Sequence, residues 1–501
     1  MADALMLSVS GCRGVLGTTL TAESAARFAA AFASVLRDRA KGKQIVVVLG
    51  RDGRKGSEVI EFAAMAGLMG AGCRVVNLGV AMTPTVAVMT DTYFQRGTSS
   101  GEYVAGMVIT ASHNPQKWIG LKCLFADEAG GGFGSAACAP PAIAANEVIK
   151  RFQNGQVTNA GWEHAGSAGE DHAGAHEHVE RVLWAMEEAG FTPDAGLIGQ
   201  GLSVAVDSVN ASGSAGARDL LESLGVEEIL HLGAEDSGIF PHSPEPTKEN
   251  LSQPGGLCDG VRENESDVGF AQDPDADRLA IIDERGNYIG EEYTLALGVQ
   301  AILEAERLRG ATTNGMTIVT NLSTSRMVED VAASFGARVI RTAVGEANVV
   351  EVMKKENSVA GGEGNGGVIW PRVTYVRDSL SAMALTLWLM SPAGGGKGKK
   401  RKLSDIIKAM PSYAIEKRKV DLARKEDAAP AIAAISKHFA GERLDTQDGV
   451  RVDMTTGPLA GKAWLHVRAS NTEPIMRLIA EAPTVKDANA ILDLADKVIK
   501  G

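Results

Sequence analysis

The chain has no uninterrupted apolar run of the ~18 residues that a membrane-spanning helix requires, so no membrane association is expected. Its opening residues, Met1-Ala2-Asp3-Ala4, lack the basic segment of a secretory leader, and a cytoplasmic location is expected. Cysteine is scarce. The five residues Cys12, Cys73, Cys123, Cys138 and Cys258 form no Cys-x-x-Cys pair, which excludes a disulfide frame and a zinc ribbon and fits free thiols in a reducing compartment. Aromatic residues make up only 5% of the chain. Positive charge is in deficit: 50 Lys and Arg face 62 Asp and Glu, a net charge of −12, which argues against nucleic acid as the main partner. Any phosphate site must then be built from local cations, for which Arg13, Lys122, Arg278 and Arg468 are the candidates.

What is present is an ordinary globular composition, 45% hydrophobic and 22% charged, with 58 glycines, over 501 residues. That length suits three or four domains of about 100–150 residues. Strand and helix signals alternate. Residues 21–40 carry apolar positions at helical spacing, 45–49 (IVVVL) form a fully apolar strand, 57–71 read as a helix and 73–78 as a strand. A second unit opens at 202–207 (LSVAVD) and a third near Asn287. Three similar units in series suggest internal repetition without a strict period. The expected fold is α/β: three similar mixed-sheet domains and a smaller α+β C-terminal domain around a central cleft. The expected limits are 1–170, 171–286, 287–392 and 403–501.

Four stretches carry chemistry. Ile109-Thr110-Ala111-Ser112-His113-Asn114-Pro115 follows the buried strand 103–109, so the turn holding Ser112 and His113 lies at a strand's carboxyl end, where open α/β sheets place ligands. Asp273-Pro274-Asp275-Ala276-Asp277-Arg278 offers three carboxylates at alternate positions, a set suited to a hard dication such as Mg²⁺. Arg468-Ala469-Ser470-Asn471-Thr472-Glu473-Pro474 supplies a guanidinium, hydroxyls and backbone N–H groups for a phosphate oxyanion. Gly361-Gly362-Glu363-Gly364-Asn365-Gly366-Gly367 lets a ligand approach the backbone, with Glu363 and Asn365 able to accept from and donate to sugar hydroxyls. Taken singly, each also reads as a surface turn, a solvated acidic loop, a capped turn or a flexible glycine loop.

Other features are read more simply. Arg13, between glycines, can reach an anion bidentately, and Lys122 lies ten residues beyond Ser112, where its ammonium can steady a phosphate and shuttle a proton. His164, His172, His176 and His178 match no compact metal template, so 155–174 reads as an interdomain linker entering a helix at about 176–189. The basic stretch 391–402 (SPAGGGKGKKRK) reads as a solvated hinge, with a localisation signal as the other reading.

Together, and in this order, TASHNP, DPDADR, GEGNGG and RASNTEP resemble the four active-site loops of the α-D-phosphohexomutase family, over nearly the whole chain. The loop GEGNGG and the segment 341–350 (RTAVGEANVV) are most similar to its phosphoglucosamine mutases. The resemblance implies an isomerase that moves a phosphoryl group between O6 and O1 of a hexose, through a hexose 1,6-bisphosphate that also serves as activator. It implies Ser112 as the phosphoryl carrier, and one Mg²⁺ per chain held by Asp273, Asp275, Asp277 and the group on Ser112. Lys122 would be the acid/base, assisted by His113. Arg13 and Arg278 would face the moving phosphoryl. Glu363 and Asn365 would read the sugar, and Arg468, Ser470, Asn471 and Thr472 would grip the distal phosphate. Glucosamine 6-phosphate is the expected phosphosugar, with glucose or mannose phosphates as the alternative; a metal-dependent phosphatase is a further reading. Two departures stand out: Gly367 where many members carry histidine, and Pro274 where glycine is common.

Overall fold

The computed structural model describes residues 5–126, 137–191, 198–394, 398–470 and 475–500. Four sheets follow one another along the chain. In the first, Ile45–Arg51 lies parallel to both Arg74–Val80 and Tyr103–Ile109, and Trp118–Ala126 runs antiparallel beside Tyr103–Ile109. The second repeats this arrangement: Ser203–Asp207 lies between Glu228–Leu232 and Val268–Gln272, all parallel, with Leu279–Asp283 antiparallel at the edge. The third does so again with Arg338–Thr342, Thr317–Asn321, Ala360–Glu363 and Gly367–Ile369. The repetition suspected from the sequence is therefore one of topology. The fourth sheet, led by Ala414–Asp421 and Ile475–Ala482, is antiparallel throughout and covered by Ala428–His438 and Val485–Lys500. The architecture is the expected three α/β domains and a smaller C-terminal one.

This topology places the loops. The turn with Ser112 joins the third and fourth strands of the first unit. The turn with the three aspartates occupies the same place in the second unit, and the glycine-rich loop in the third. The stretch following Arg468 joins two antiparallel strands of the fourth sheet. The parallel strands are apolar on both faces because helices cover both sides, which pushes polar residues to the strand ends.

One helix is central. Ser379–Met390 is buried along its whole length, and its apolar residues run all round it, as expected of a helix enclosed by others. It packs with Glu291–Leu308, Gly174–Glu188 and Gly213–Ser223 in a core shared by the second and third units. Asp378 caps it by accepting from the Leu380 and Ser381 amides. The same carboxylate is 3.2 Å from His178 Nε2, whose Nδ1 is 3.0 Å from the Thr85 hydroxyl.

Two readings need correction. Residues 155–174 are not a free linker. Ala168–Glu170 adds a parallel strand to Arg74–Val80, and the following helix begins at Gly174. A strand of sequence AGE at a sheet edge is held by backbone bonds alone and leaves no side-chain pattern to read. Its neighbourhood forms no histidine cluster: His178 is buried against Asp378, whereas His176 meets Asp219 and His172 meets Glu170. Nor is the described part of the basic stretch simply solvated. Lys400 Nζ donates to Gly201 O and Asp267, and the Arg401 side chain donates to the Leu389 and Gly394 carbonyls. Among the described residues no helix is long and apolar enough to cross a membrane.

Candidate active site

The turn after Tyr103–Ile109 is held from beneath. The Ser112 amide donates to Thr110 Oγ1, and Ser112 takes a left-handed φ of 51°. Buried Arg54 donates to the Ser112 carbonyl (2.6 Å) and the Trp118 carbonyl (2.5 Å), and its Nε meets Asp52 at 2.8 Å. The strained backbone is thus fixed by a charge-assisted network, an arrangement found where a side chain must be aimed. Ser112 Oγ donates to Asp273 Oδ2 at 2.8 Å and lies 3.3 Å from His113 Nδ1.

The three aspartates converge because their backbone turns sharply. Ala276 N donates to Asp273 O, and Ala276 has φ of 50°. Pro274 costs nothing here: its carbonyl accepts from Ser212 Oγ at 2.7 Å, and no N–H is required of it. The carboxylates are 0%, 0% and 1% exposed, and one oxygen of each lies within 4.8 Å of the others. Asp275 Oδ1 and Asp277 Oδ1 are buried and accept no hydrogen bond. Two unpartnered anionic oxygens beside a third carboxylate fit a hard cation, and among the described residues this is the one such group of His, Cys, Asp and Glu.

Lys122, on Trp118–Ala126, crosses to this cluster: Nζ is 2.5 Å from Asp275 Oδ2 and 3.5 Å from Asp277 Oδ2. Burial works against the ammonium, yet Asp275 and Asp277 outweigh it and hold Lys122 above its ordinary pKa. Burial would likewise raise Asp275, but the adjacent Lys122 keeps it below the carboxylate range. At Asp273 the nearby Arg278 does not outweigh burial. Burial and the charges of Asp275 and Asp277 push this carboxyl well above that range. Burial, reinforced by Arg278, lowers His113 to about 3, so its ring is neutral at pH 7. Arg278 Nε lies 3.7 Å from Asp277 Oδ1, and its amide donates to Asp273 Oδ1. Arg13 is lowered by burial and sits in the field of Asp275, Asp277 and Arg278.

The glycine-rich loop approaches from the third unit. Glu363 Oε1 accepts from Asn321 Nδ2 (2.8 Å) and from the Gly345 amide (3.2 Å). Asn365 Oδ1 is buried without a partner beside a small pocket that Arg278, Glu245 and Glu291 also line. A Cβ at Gly364 would fall 2.0 Å from Glu292 Oε2, so a larger residue would have to displace that carboxylate from the Ser325 amide. Arg468 Nε meets Asp448 Oδ2 at 3.0 Å, and that oxygen also accepts from the Val344 amide. The Ser470 amide donates to Ile475 O. Asn471 and Thr472 lie outside the described residues.

The structure therefore brings together Ser112, His113, Lys122, the three aspartates, Arg13 and Arg278, and joins Arg468 to the third unit through Asp448. It also shows residues not anticipated. Arg377 bridges Asp277 Oδ2 (2.5 Å), Glu363 Oε2 (2.6 Å) and Glu346 Oε2 (2.9 Å). Thr83 Oγ1 donates to Asp275 Oδ2 at 2.7 Å. Arg54 stood in plain view in GRDGR after a strand, a position that marks a ligand loop; nothing local marked Arg377 or Thr83.

The chain is similar along its length to phosphohexomutases. The domain I, II, III and C-terminal models of phosphoglucomutase/phosphomannomutase match residues 5–137, 193–286, 291–413 and 417–498. A phosphoglucomutase/phosphomannomutase of Thermococcus kodakarensis is 31% identical over 98% of this chain and 97% of its own. A probable phosphoglucosamine mutase of Methanopyrus kandleri is also 31% identical, over 97% of this chain and 95% of its own. The crystal structure of a phosphoglucomutase/phosphomannomutase family protein from Burkholderia thailandensis superposes with a TM-score of 0.76 at 25% identity, covering 99% of this chain and 98% of that one. By matched domains, by identity along its length and by fold, this chain belongs to the phosphohexomutases, phosphotransferase isomerases of the phosphoglucomutase/phosphomannomutase family.

Proposed function

We propose that the protein interconverts glucosamine 6-phosphate and glucosamine 1-phosphate, with Ser112 as the phosphoryl carrier. The observation that carries this is Ser112 Oγ, aimed from a strained turn at three buried carboxylates with an ammonium beside them. Asp273, Asp275 and Asp277 would hold Mg²⁺, which, when bound, offsets the negative charge that builds on the moving phosphoryl group. Lys122, 2.5 Å from Asp275 beside the serine, delivers a proton to Ser112 Oγ as the P–O bond breaks. Arg13 and Arg278 face the phosphoryl oxygens. His113, neutral, orients the serine hydroxyl.

The proton of the attacking sugar hydroxyl goes to Glu346. Gly367 leaves no side chain at the end of the sugar loop, whereas burial lifts the Glu346 carboxyl above its ordinary value despite Arg377, which favours uptake of a proton there. The sugar then carries phosphates at both O1 and O6, turns, and returns the other phosphoryl to Ser112. A hexose 1,6-bisphosphate supplied from outside would load an empty serine in the same way. Arg468, Ser470, Asn471 and Thr472 grip the phosphate that is not reacting, and Glu363 and Asn365 hold the sugar hydroxyls in either orientation.

A second reading, glucose or mannose phosphate as substrate, is favoured by the Thermococcus relative, which is as similar as the phosphoglucosamine mutases. The test is ³¹P NMR with Mg²⁺, a trace of hexose 1,6-bisphosphate and glucosamine, glucose or mannose 6-phosphate in separate tubes. The 1-phosphate signal is expected to grow fastest from glucosamine 6-phosphate. Faster conversion of another sugar would transfer the assignment to it. Inorganic phosphate in place of any 1-phosphate would sink the mutase reading in favour of a phosphatase.

A further inference from the structure

We propose that Arg377 is a positioning residue that couples the aspartate turn to the sugar loop, and that residue 367 is glycine because the Arg377 side chain lies where a side chain at 367 would be. The inference rests on the mutase reading above and adds to it a specific mechanical link.

Arg377 precedes Asp378, the cap of the buried helix Ser379–Met390, so its backbone is anchored in the shared core. Its guanidinium meets three carboxylates from three different segments: Asp277 of the aspartate turn, Glu363 of the sugar loop and Glu346 at the start of the helix Glu346–Glu356. One terminal nitrogen donates to Asp277 at 2.5 Å and the other to Glu363 at 2.6 Å, and Nε lies 2.9 Å from Glu346 as an ion pair without the alignment of a hydrogen bond. A planar fork can serve three carboxylates at once; an ammonium is a point charge and cannot hold all three in register.

The room for this fork is made at Gly367. A Cβ there would stand 2.2 Å from Arg377 Cδ and 2.9 Å from Cγ, and the three nearest atoms all belong to Arg377. These are mid-chain atoms pinned at both ends, by the backbone and by the carboxylates, so they cannot swing aside. The absent side chain and the arginine are one feature.

Glu363 is held by Arg377 on one oxygen and by Asn321 and the Gly345 amide on the other, which fixes the plane in which it can meet a sugar. Asp277 Oδ2 is occupied by Arg377, which leaves its buried Oδ1 unpartnered toward the aspartate cluster. Arg377 therefore orients Glu363 toward the sugar, while at Asp277, in a turn already closed by the Ala276 N–Asp273 O bond, it acts as a positive charge that opposes a cation at the aspartates.

That dual character gives a test that a merely structural ion pair would not pass. In a Ser112→Ala background, where nothing turns over, Mn²⁺ is titrated by electron paramagnetic resonance and glucosamine 6-phosphate by calorimetry, with and without Arg377→Met. Sugar-phosphate affinity is expected to fall at least tenfold while Mn²⁺ affinity rises at least threefold, because the dication loses a competing charge. Both ligands weakening together, or neither changing twofold, would overturn the proposal. Arg377→Lys keeps the charge and guards against a Met variant that does not fold: it should hold Mn²⁺ affinity within twofold and still lose about tenfold in sugar affinity, and full sugar affinity in this variant would overturn the proposal. Gly367→Ala should weaken sugar binding several-fold with Arg377 present and less than twofold in the Arg377→Met background; equal losses in both would refute the pairing. A Ser112→Ala protein that binds no hexose phosphate at all would instead defeat the mutase reading, and this inference with it.

Discussion

The two ends of the site are built differently. At the Ser112 end, charge is buried and each group is fixed by another: Ser112 by Asp273 and Arg54, Asp275 by Lys122 and Thr83, Asp277 by Arg377. At the Arg468 end, the guanidinium meets one carboxylate among the described residues, Asp448, and its side chain is 17% exposed. The first arrangement suits charge that must be in place before a bond breaks, because dipoles and charges already oriented need no reorganisation in the transition state. The second suits a ligand that is released, turned and held again. Substitutions at the first end should therefore act on kcat and at the second on KM.

The largest effect is expected at Ser112, the proposed carrier. Ser112→Ala removes one hydroxyl and its bond to Asp273, so the fold should remain while mutase turnover falls by ~10⁴-fold or more. Circular dichroism and ³¹P turnover measurements together check this; substantial residual mutase activity would move the carrier elsewhere. Next, Lys122→Met should lower kcat by about 10²–10⁴-fold, the usual contribution of a positioned proton donor, with KM changed far less. Asp275 also loses its counter-ion, so a lower melting temperature is expected alongside. Removal of divalent cations with EDTA should abolish turnover, and Mg²⁺ should restore it. Arg468→Ala should leave kcat within a few-fold while raising KM for the phosphosugar by about 10–100-fold, the worth of one charge-assisted phosphate contact. A kcat loss as large as that of Lys122→Met would erase the contrast between the two ends.

The same contrast governs what could be read from the sequence. Four loops were legible because each packs its polar groups into one short turn behind an apolar strand, and strand ends are where an α/β sheet places ligands. The aspartate turn is the clearest case, since three carboxylates at alternate positions must converge once the backbone turns. The supports were not legible, because they reach across the chain. Arg377 and Asp277 are 100 residues apart, and Arg54 and Ser112 are 58 apart. Arg377 also stands at the start of SLSAMALTLWLM, a helix whose all-round apolar surface shows no 3.6-residue stripe to announce it. Topological repetition was only suggested, since the three units share a strand arrangement rather than a sequence period. The strand Ala168–Glu170 escaped because two small residues and a glutamate carry no strand signal. The basic stretch was misjudged because its composition is that of a linker, while its partners, Gly201, Asp267, Leu389 and Gly394, lie elsewhere.

The smallest expected effect concerns how the fourth unit is seated, and it is one of pH. His466 is fully buried; its Nδ1 lies 2.8 Å from the Ser323 hydroxyl of the third unit and its Nε2 2.7 Å from the Asp448 carbonyl. Burial lowers its pKa to about 4; Asp448 pulls it upward, while Arg451 and Arg468 push it further down. The ordinary value in an unfolded chain is about 6.5. Between these two values the unfolded chain binds the extra proton and the folded one does not, so stability rises with pH across that window and is flat above it. On acidification from pH 6 to pH 5, the native protein should therefore lose ~1 kcal/mol that a His466→Asn variant, which has no titrating ring, retains. Urea midpoints of both proteins at pH 7.5, 6 and 5 measure the difference directly. Parallel curves would mean that His466 is protonated where it sits, and that the fourth unit lifts from the Ser323 loop more readily than its buried contacts allow. A gap that shifts by ~1 kcal/mol between pH 6 and pH 5 would locate an acid-sensitive contact at the seat of the fourth unit, remote from the carboxylates and the ammonium around Ser112.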